Sequence, residues 1–405
     1  MERKESSIKF VGLHGHDGVG SIFDGFGYPS EHFDFAYENG LDAMAITNHG
    51  NMNSVPYILS HWDKMKKDNK HFKPILGVEA YMVESIDEWK NMLELKKKAK
   101  EEEKLDKKAS KTDLVEEMSE DDLTIAVENE QETKSKKKKD PLKLRSHLVL
   151  LAKNQKGLNC LYEMVSQSYR PGNFYYYPRI DFKMLEKAAG NVVVSSACMG
   201  GILANQYWQF VEQGENVVLD NMIRISSEFK RIFGKDWYHE LQWNAIPEQH
   251  AINKLVIQAS KELDIELVST CDSHYPTPSS WRNREIYKQL GRNTKGKSGA
   301  IETIHIPTSV DEIGYELYPK NGEQMWQSAI NYSKICGHEY DMDLVRESIE
   351  RTHDIAFQKI EMFAPNRDIQ LPSFVLDVSM SADDQLAKLC NDALIEKKLD
   401  TPEYK

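Results

Sequence analysis

Ala43-Met44-Ala45-Ile46-Thr47-Asn48-His49-Gly50-Asn51 is an apolar run that ends in a histidine and a glycine. The same layout recurs along the chain. Leu13-His14-Gly15-His16-Asp17 closes an apolar run at 8–13, and Thr270-Cys271-Asp272-Ser273-His274 follows one at 265–268. Val192-Val193-Val194-Ser195-Ser196-Ala197-Cys198 leads into a cysteine, and Ile75-Leu76-Gly77-Val78-Glu79-Ala80 carries a glutamate among apolar residues. Between such runs lie amphipathic stretches at 28–39, 156–168 and 249–263. Strand followed by helix, repeated this often, predicts an α/β fold on a parallel sheet, either a barrel or doubly wound.

The polar residues at the ends of these runs form a ligand set. Residues two apart on a strand share a face, so His14 and His16 can meet one metal, and Asp272 and His274 repeat that spacing. Asp24 follows His16 in a turn with small neighbours. A carboxylate inside an apolar strand, such as Glu79, is costly to bury unless it is paired or binds a metal. Five of the six polar groups sit at the carboxyl side of their runs, the edge where sites form in parallel α/β folds. His147 is the exception, because it begins its run at 147–152. His, Asp, Glu and one Cys suit several borderline metals, and the thiolate tilts the choice toward zinc. Arg179 is a candidate phosphate contact, since a guanidinium fork matches phosphate oxygens; the alternative is a structural ion pair.

Composition bounds the rest. The 405 residues can bury a large core, and seven tryptophans with 40% hydrophobic residues exclude wholesale disorder. Five cysteines without a CxxC pair, a polar start at residues 1–9 and no membrane-length apolar run lead us to expect a soluble, cytoplasmic protein. A net charge of -12 argues against a surface that grips nucleic acid everywhere, although a local basic groove or a metal cluster can still attract phosphate. Residues 84–140 are rich in Lys and Glu, including Lys136 to Lys139, and predict a solvated, partly helical insertion. After Pro278 the pattern becomes helical, at about 322–336 and 344–357, with a last helix that opens on the capping sequence Ser381-Ala382-Asp383-Asp384. Asp341-Met342-Asp343 is a tempting metal-binding DxD, but no β-run precedes it and chance explains it better.

Taken together, the stretches FVGLHGHDGVGSIFDG (10–25), GLDAMAITNHGNM (40–52), KPILGVEAYM (73–82), HLVLLAKNQKGLNCL (147–161), YYYPRIDF (175–182), SSACMGGIL (195–203), YHELQWN (238–244) and STCDSHYP (269–276) resemble a known domain. It is the PHP (polymerase and histidinol phosphatase) domain at the N-terminus of bacterial-type DNA polymerase III alpha subunits. Residues 352–356 and 371–374 resemble the segment of those polymerases between PHP and palm. The resemblance implies a distorted, TIM-like (βα)7 barrel with up to three divalent ions, zinc or manganese. By motif, His14, His16, Glu79 and Asp272 would hold one ion. Glu79, His147 and Cys198 would hold a second, bridged by Glu79, and Asp24, His49 and His274 the third. Catalysis would rest on His14, His16, Glu79 and Asp272, with Arg179 on the phosphate.

There are two departures from the family pattern. The usual Thr-Asp-His-Gly reads Thr47-Asn48-His49-Gly50, and one extra residue lies between His16 and Asp24. We expect residues 1–280 to form the PHP domain, with 84–140 as its insertion. Residues 281–405 would begin a polymerase region that stops before the palm carboxylates, so this chain would not polymerise DNA alone. The implied partners are DNA, a separate palm-containing chain with its own magnesium, and through that assembly a proofreading exonuclease subunit and a sliding clamp. The alternatives are a free-standing PHP phosphatase and a non-catalytic scaffold that binds a proofreading nuclease.

Overall fold

The computed structural model describes residues 3–109, 141–291, 306–366, 368 and 379–402. Two compact units divide the chain, Met1–Ala364 and Pro365–Lys405. The first unit is built on a six-stranded sheet of β1 (Ala43–Ile46), β2 (Lys73–Met82), β3 (Ser146–Ala152), β6 (Val192–Ser195), β7 (Trp237–Gln242) and β8 (Leu267–Thr270), hydrogen-bonded in that order. The two short strands β4 (Phe174–Tyr175) and β5 (Tyr177–Pro178) form a separate hairpin. Residues 12–15 supply a seventh stave: Gly12 bridges Met44 of β1, and Gly15 bridges Ser273 just beyond β8, both in parallel. The fold is α/β and TIM-like, with the ring closed by this N-terminal segment.

One strand corrects the expectation of a parallel sheet. β3 runs antiparallel to both of its neighbours, β2 and β6, whereas the other pairs are parallel. The reversal explains why His147 begins its apolar run. On a reversed strand the amino end lies at the edge where the other strands present their carboxyl ends.

Residues two apart share a face, so each strand sends one set of side chains into the barrel and the other toward the helices. The inward set includes Val11, Leu13, Ala43, Ala45, Ile75, Val149, Leu151, Val193 and Val268, all buried in one cluster. Glu79 shares the face of Ile75, and His147 that of Val149, so both ligand candidates line the same barrel. A larger cluster fills the layer between sheet and helices, with Phe33, Trp62, Leu158, Phe229, Leu255 and Val345 among its buried members.

The amino end of the barrel is plugged from downstream. After the helix Met342–Asp354 the chain makes one wide π turn, Ile355–Lys359, and Ile355, Ala356 and Ile360 join the interior cluster. Buried Lys73 donates to the carbonyls of Ala356 and Ile360 (2.6 and 2.5 Å), and Thr352 Oγ1 accepts the Val11 N–H at 3.0 Å. The Thr352–Ala356 stretch singled out in the sequence is therefore barrel structure; residues 371–374 lie outside the described residues. Asp341 caps the helix Met342–Asp354 by accepting from the Asp343 and Leu344 backbones, an ordinary N-cap role for the DxD that invited another reading. The helix Ile86–Ala109 opens the charged insertion, whose residues 110–140 lie outside the described residues. No helix among the described residues is long and apolar enough to cross a membrane. The second unit holds the helix Ala382–Glu396, capped by Ser381, with Leu386, Leu389 and Ile395 exposed.

Thr352 tests the plug. Thr352→Val keeps the shape but leaves the buried Val11 N–H unpaired, so we expect a loss of about 1–3 kcal/mol in urea unfolding. An unchanged midpoint would show that the plug does not tie to the first stave through this hydroxyl.

Candidate metal centre

The carboxyl edge of the barrel gathers all nine ligand candidates, and Glu79 is the hub. It is fully buried on β2. Its Oε1 lies 3.1 Å from His147 Nδ1, 3.4 Å from His14 Nε2 and 3.7 Å from Cys198 Sγ. Its Oε2 lies 2.9 Å from His49 Nδ1 and 3.1 Å from His16 Nε2. Asp272 Oδ1 adds contacts to His14 Nε2 at 3.3 Å and His16 Nε2 at 3.2 Å. On the far side of His49, Asp24 Oδ2 sits between His49 Nε2 (3.0 Å) and His274 Nε2 (3.2 Å).

The loops that deliver these groups are strained. Ala197 before Cys198, Phe23 before Asp24, and Asp272 itself adopt positive φ of 60, 64 and 46°. Left-handed backbone at non-glycine residues costs of order 1–3 kcal/mol each and gathers at functional sites.

The donor set fits divalent cations. His14 Nε2, His16 Nε2, His49 Nδ1, Glu79 Oε2 and Asp272 Oδ1 are buried and have no hydrogen-bond partner. They crowd within 2.9–3.4 Å of opposing donors without hydrogen-bond geometry, which is how ligands of a shared ion are arranged. Three triplets have ligand atoms within 4.8 Å of one another: His14, His16 and Asp272; His49, Glu79 and His147; and His16, His49 and His274.

The nitrogens that face away from the cluster are fixed from behind. His14 Nδ1 meets Glu240 Oε1 at 2.7 Å, His16 Nδ1 meets Ser21 Oγ at 3.1 Å, and His274 Nδ1 meets the Asp272 carbonyl at 2.7 Å. Glu240 is itself held by hydroxyls, with Ser195 donating at 2.6 Å and Thr270 at 2.5 Å. Arg284, fully enclosed, donates to Asp24 Oδ1 at 2.6 Å and to its carbonyl at 2.8 Å, which leaves Oδ2 to the histidines. Such supporting contacts orient ligands and tune them.

Sequence reasoning missed Glu240 and Arg284. Glu240 carries the signal that marked Glu79, an acid within a buried strand, whereas nothing local distinguishes Arg284 from other exposed-looking arginines. Arg179 requires a correction. Its guanidinium is buried, donates to the carbonyls of Tyr175, Tyr177 and Leu142 at 2.8, 2.9 and 3.1 Å, and lies 4.6 Å over the Trp89 ring. It braces the hairpin, its fork is taken up by carbonyls, and it has no ion pair among the described residues.

Without a cation, protons hold the cluster together. Burial alone would lower the His49 pKa, but Glu79 and Asp24 outweigh it and raise it to about 10. His14 is likewise raised, against burial, by Asp272, Glu240 and Glu79. Burial would raise the Glu79 pKa, yet His147, His14 and His49 hold it well below the usual carboxylate range; Asp24 and Asp272 behave the same way.

A pattern of family motifs matches residues 13–244, described as the PHP domain. The DNA polymerase III subunit alpha of Borreliella burgdorferi is 30% identical over 323 residues, which cover 78% of this chain and 22% of that protein. The DNA polymerase III subunit alpha of Aquifex aeolicus is 30% identical over 405 residues, 98% of this chain and 29% of its own length. The chain thus spans less than a third of these relatives. A solved structure described as a metal-dependent phosphoesterase from Bifidobacterium adolescentis overlaps 77% of this chain and 96% of its own at 12% identity, and its TM-score of 0.31 is too low to carry weight.

The raised histidines contribute stability that is complete below about pH 6.5 and is lost as pH climbs through their raised values, about 10 for His49. The depressed carboxylates contribute stability that is complete above about pH 4.5 and is lost on acidification. We therefore expect the thermal midpoint of chelator-treated protein to fall from about pH 6.5 toward pH 10 as the raised histidines lose their protons. It should also fall below about pH 6.5, where buried His239 and His250, lowered to about 3 and 4, gain protons only on unfolding. Saturating divalent metal should flatten the alkaline limb. A metal-free profile that is level from pH 6.5 to 10 would contradict this assignment of charge.

Proposed function

Because the chain belongs to the PHP domain family, we propose that its barrel is a metal-dependent phosphoesterase that acts on DNA ends within a replicative polymerase assembly. The five buried, unpartnered ligand atoms around Glu79 and Asp272 carry this reading. His14, His16, Glu79 and Asp272 would hold one ion, Glu79, His147 and Cys198 a second, and Asp24, His49 and His274 a third. Zinc or manganese suits these donors.

When bound, divalent ions polarise a phosphoryl oxygen and lower the pKa of water to about 7. The protein's own residues set the stage for that chemistry. Glu240 fixes the His14 ring, so Nε2 faces the cluster, and Ser21 does the same for His16. Arg284 neutralises one oxygen of Asp24 and holds the other in place. Half-buried Tyr81, beside His49 and His147, walls the cluster on one side.

The polymerase context rests on the reach of the similarity to the Aquifex aeolicus relative, which runs over 98% of this chain and so beyond the barrel strands. A free-standing phosphatase would not need the downstream residues. In the assembly, a palm domain would hold magnesium for nucleotide addition, and a proofreading exonuclease subunit and a sliding clamp would join it, in the cytoplasm.

Purified protein with manganese or zinc should release nucleotides from a DNA 3′ end or hydrolyse a generic phosphodiester. We expect His14→Ala to lower kcat/KM by about 10²-fold or more. Full metal occupancy without turnover would support the scaffold instead.

A further inference from the structure

The residue that most weakens a phosphoesterase reading on sequence grounds is Asn48, where the family pattern has an acid. The structure gives it a different meaning. Asp17, Asn48 and Ser54 are buried together at 0, 1 and 1% exposure. Asn48 Nδ2 donates to Ser54 Oγ at 2.8 Å, and the Ser54 hydroxyl donates to Asp17 Oδ1 at 2.8 Å. Asp17 Oδ1 also accepts the N–H groups of Val19 and Gly20, at 2.8 and 3.0 Å. Asn48 Oδ1 accepts the Asp17 N–H at 3.0 Å and the Ser21 hydroxyl at 2.9 Å. Ser21 Oγ in turn meets His16 Nδ1 at 3.1 Å and the His49 N–H at 3.3 Å.

The proton count of this circuit is decisive. A serine hydroxyl has one proton, and that of Ser54 goes to Asp17. The group at position 48 must therefore give a proton to Ser54 while accepting from Ser21, which an amide does and a carboxylate cannot. The loop lies flat on that amide, since a Cβ at Gly20 would fall 2.3 Å from Asn48 Nδ2.

We propose that Asp17 and Asn48 are a matched pair of positioning residues: the buried carboxylate missing from position 48 is carried at 17, and the pair aims Ser21, and through it His16, at the cluster. This rests on the metal-centre reading for its purpose, but the hydrogen-bond circuit stands independently.

The test is a cycle of Asn48→Asp, Asp17→Asn and the exchange double variant in the full chain. Thermal midpoints are read on chelated protein, and zinc or manganese affinity by equilibrium dialysis. Asn48→Asp would set two acceptors against Ser54 and two carboxylates side by side. We expect it to lower the midpoint and to weaken metal affinity about 10–100-fold. Asp17→Asn alone keeps Oδ1 as an acceptor and should change both far less. In the double variant only one of the two buried carboxylates remains, so the like-charge part of both losses should be recovered, while Ser54, whose one proton still faces two acceptors, keeps the rest. The proposal is overturned if Asn48→Asp equals or exceeds the parent in midpoint and affinity, or if the double variant is no better than Asn48→Asp. A parent chain that binds no metal would sink the metal reading, while the midpoints would still decide the pairing.

Discussion

A carboxylate with no water around it must be given positive charge, and Glu79 imposes that demand on the whole barrel edge. It sits fully buried on a central strand, faced by His14, His16, His49 and His147 and by the Cys198 thiol. Desolvating an unpaired carboxylate is prohibitive, so either protons on those histidines or a metal must balance it. The depressed Glu79 pKa and the raised His49 pKa are the two halves of that balance in the metal-free chain. The strained turns at Ala197 and Asp272 and the supporting contacts of Glu240 and Arg284 serve to hold this charge arrangement in one geometry.

Much of this was legible in the residues alone, for a definite physical reason. Apolar runs that end in His, Asp or Cys mark strand ends, and a period of two places Glu79 and His147 inside the barrel with Ile75 and Val149. What local pattern could not carry was direction and partnership. His147 at the start of its run already hinted that β3 is reversed, but only the pairing with β2 and β6 turns the hint into topology. Arg179 misled because a guanidinium satisfies carbonyls as readily as phosphates, and only burial beside Trp89 separates the two roles. The apolar residues of the segment around Ile355 gave no sign that they plug the barrel, since helical spacing looks the same on any buried face. The strand Trp237–Gln242, with buried His239, Glu240 and Gln242, is too polar to read as a strand from hydropathy.

The relation between Asn48 and the loop above it shows how a departure from a motif can be compensated a few ångströms away. Judged alone, the amide is a lost charge. Seen with Asp17, Ser54 and Ser21, it completes a chain of donors and acceptors that ends on His16. Hydrogen-bond direction, which no substitution table records, decides whether such an exchange is tolerated.

The central claim is that the Glu79-centred donors form a metal site and are not merely a proton-stapled core. Equilibrium dialysis against manganese or zinc, followed by metal analysis of the parent and of Glu79→Gln with the fold checked by circular dichroism, tests it most directly. We expect bound metal in the parent and its loss from Glu79→Gln with the secondary structure retained. A parent that stays metal-free, or a Glu79→Gln variant that retains the parent's metal content, would contradict it.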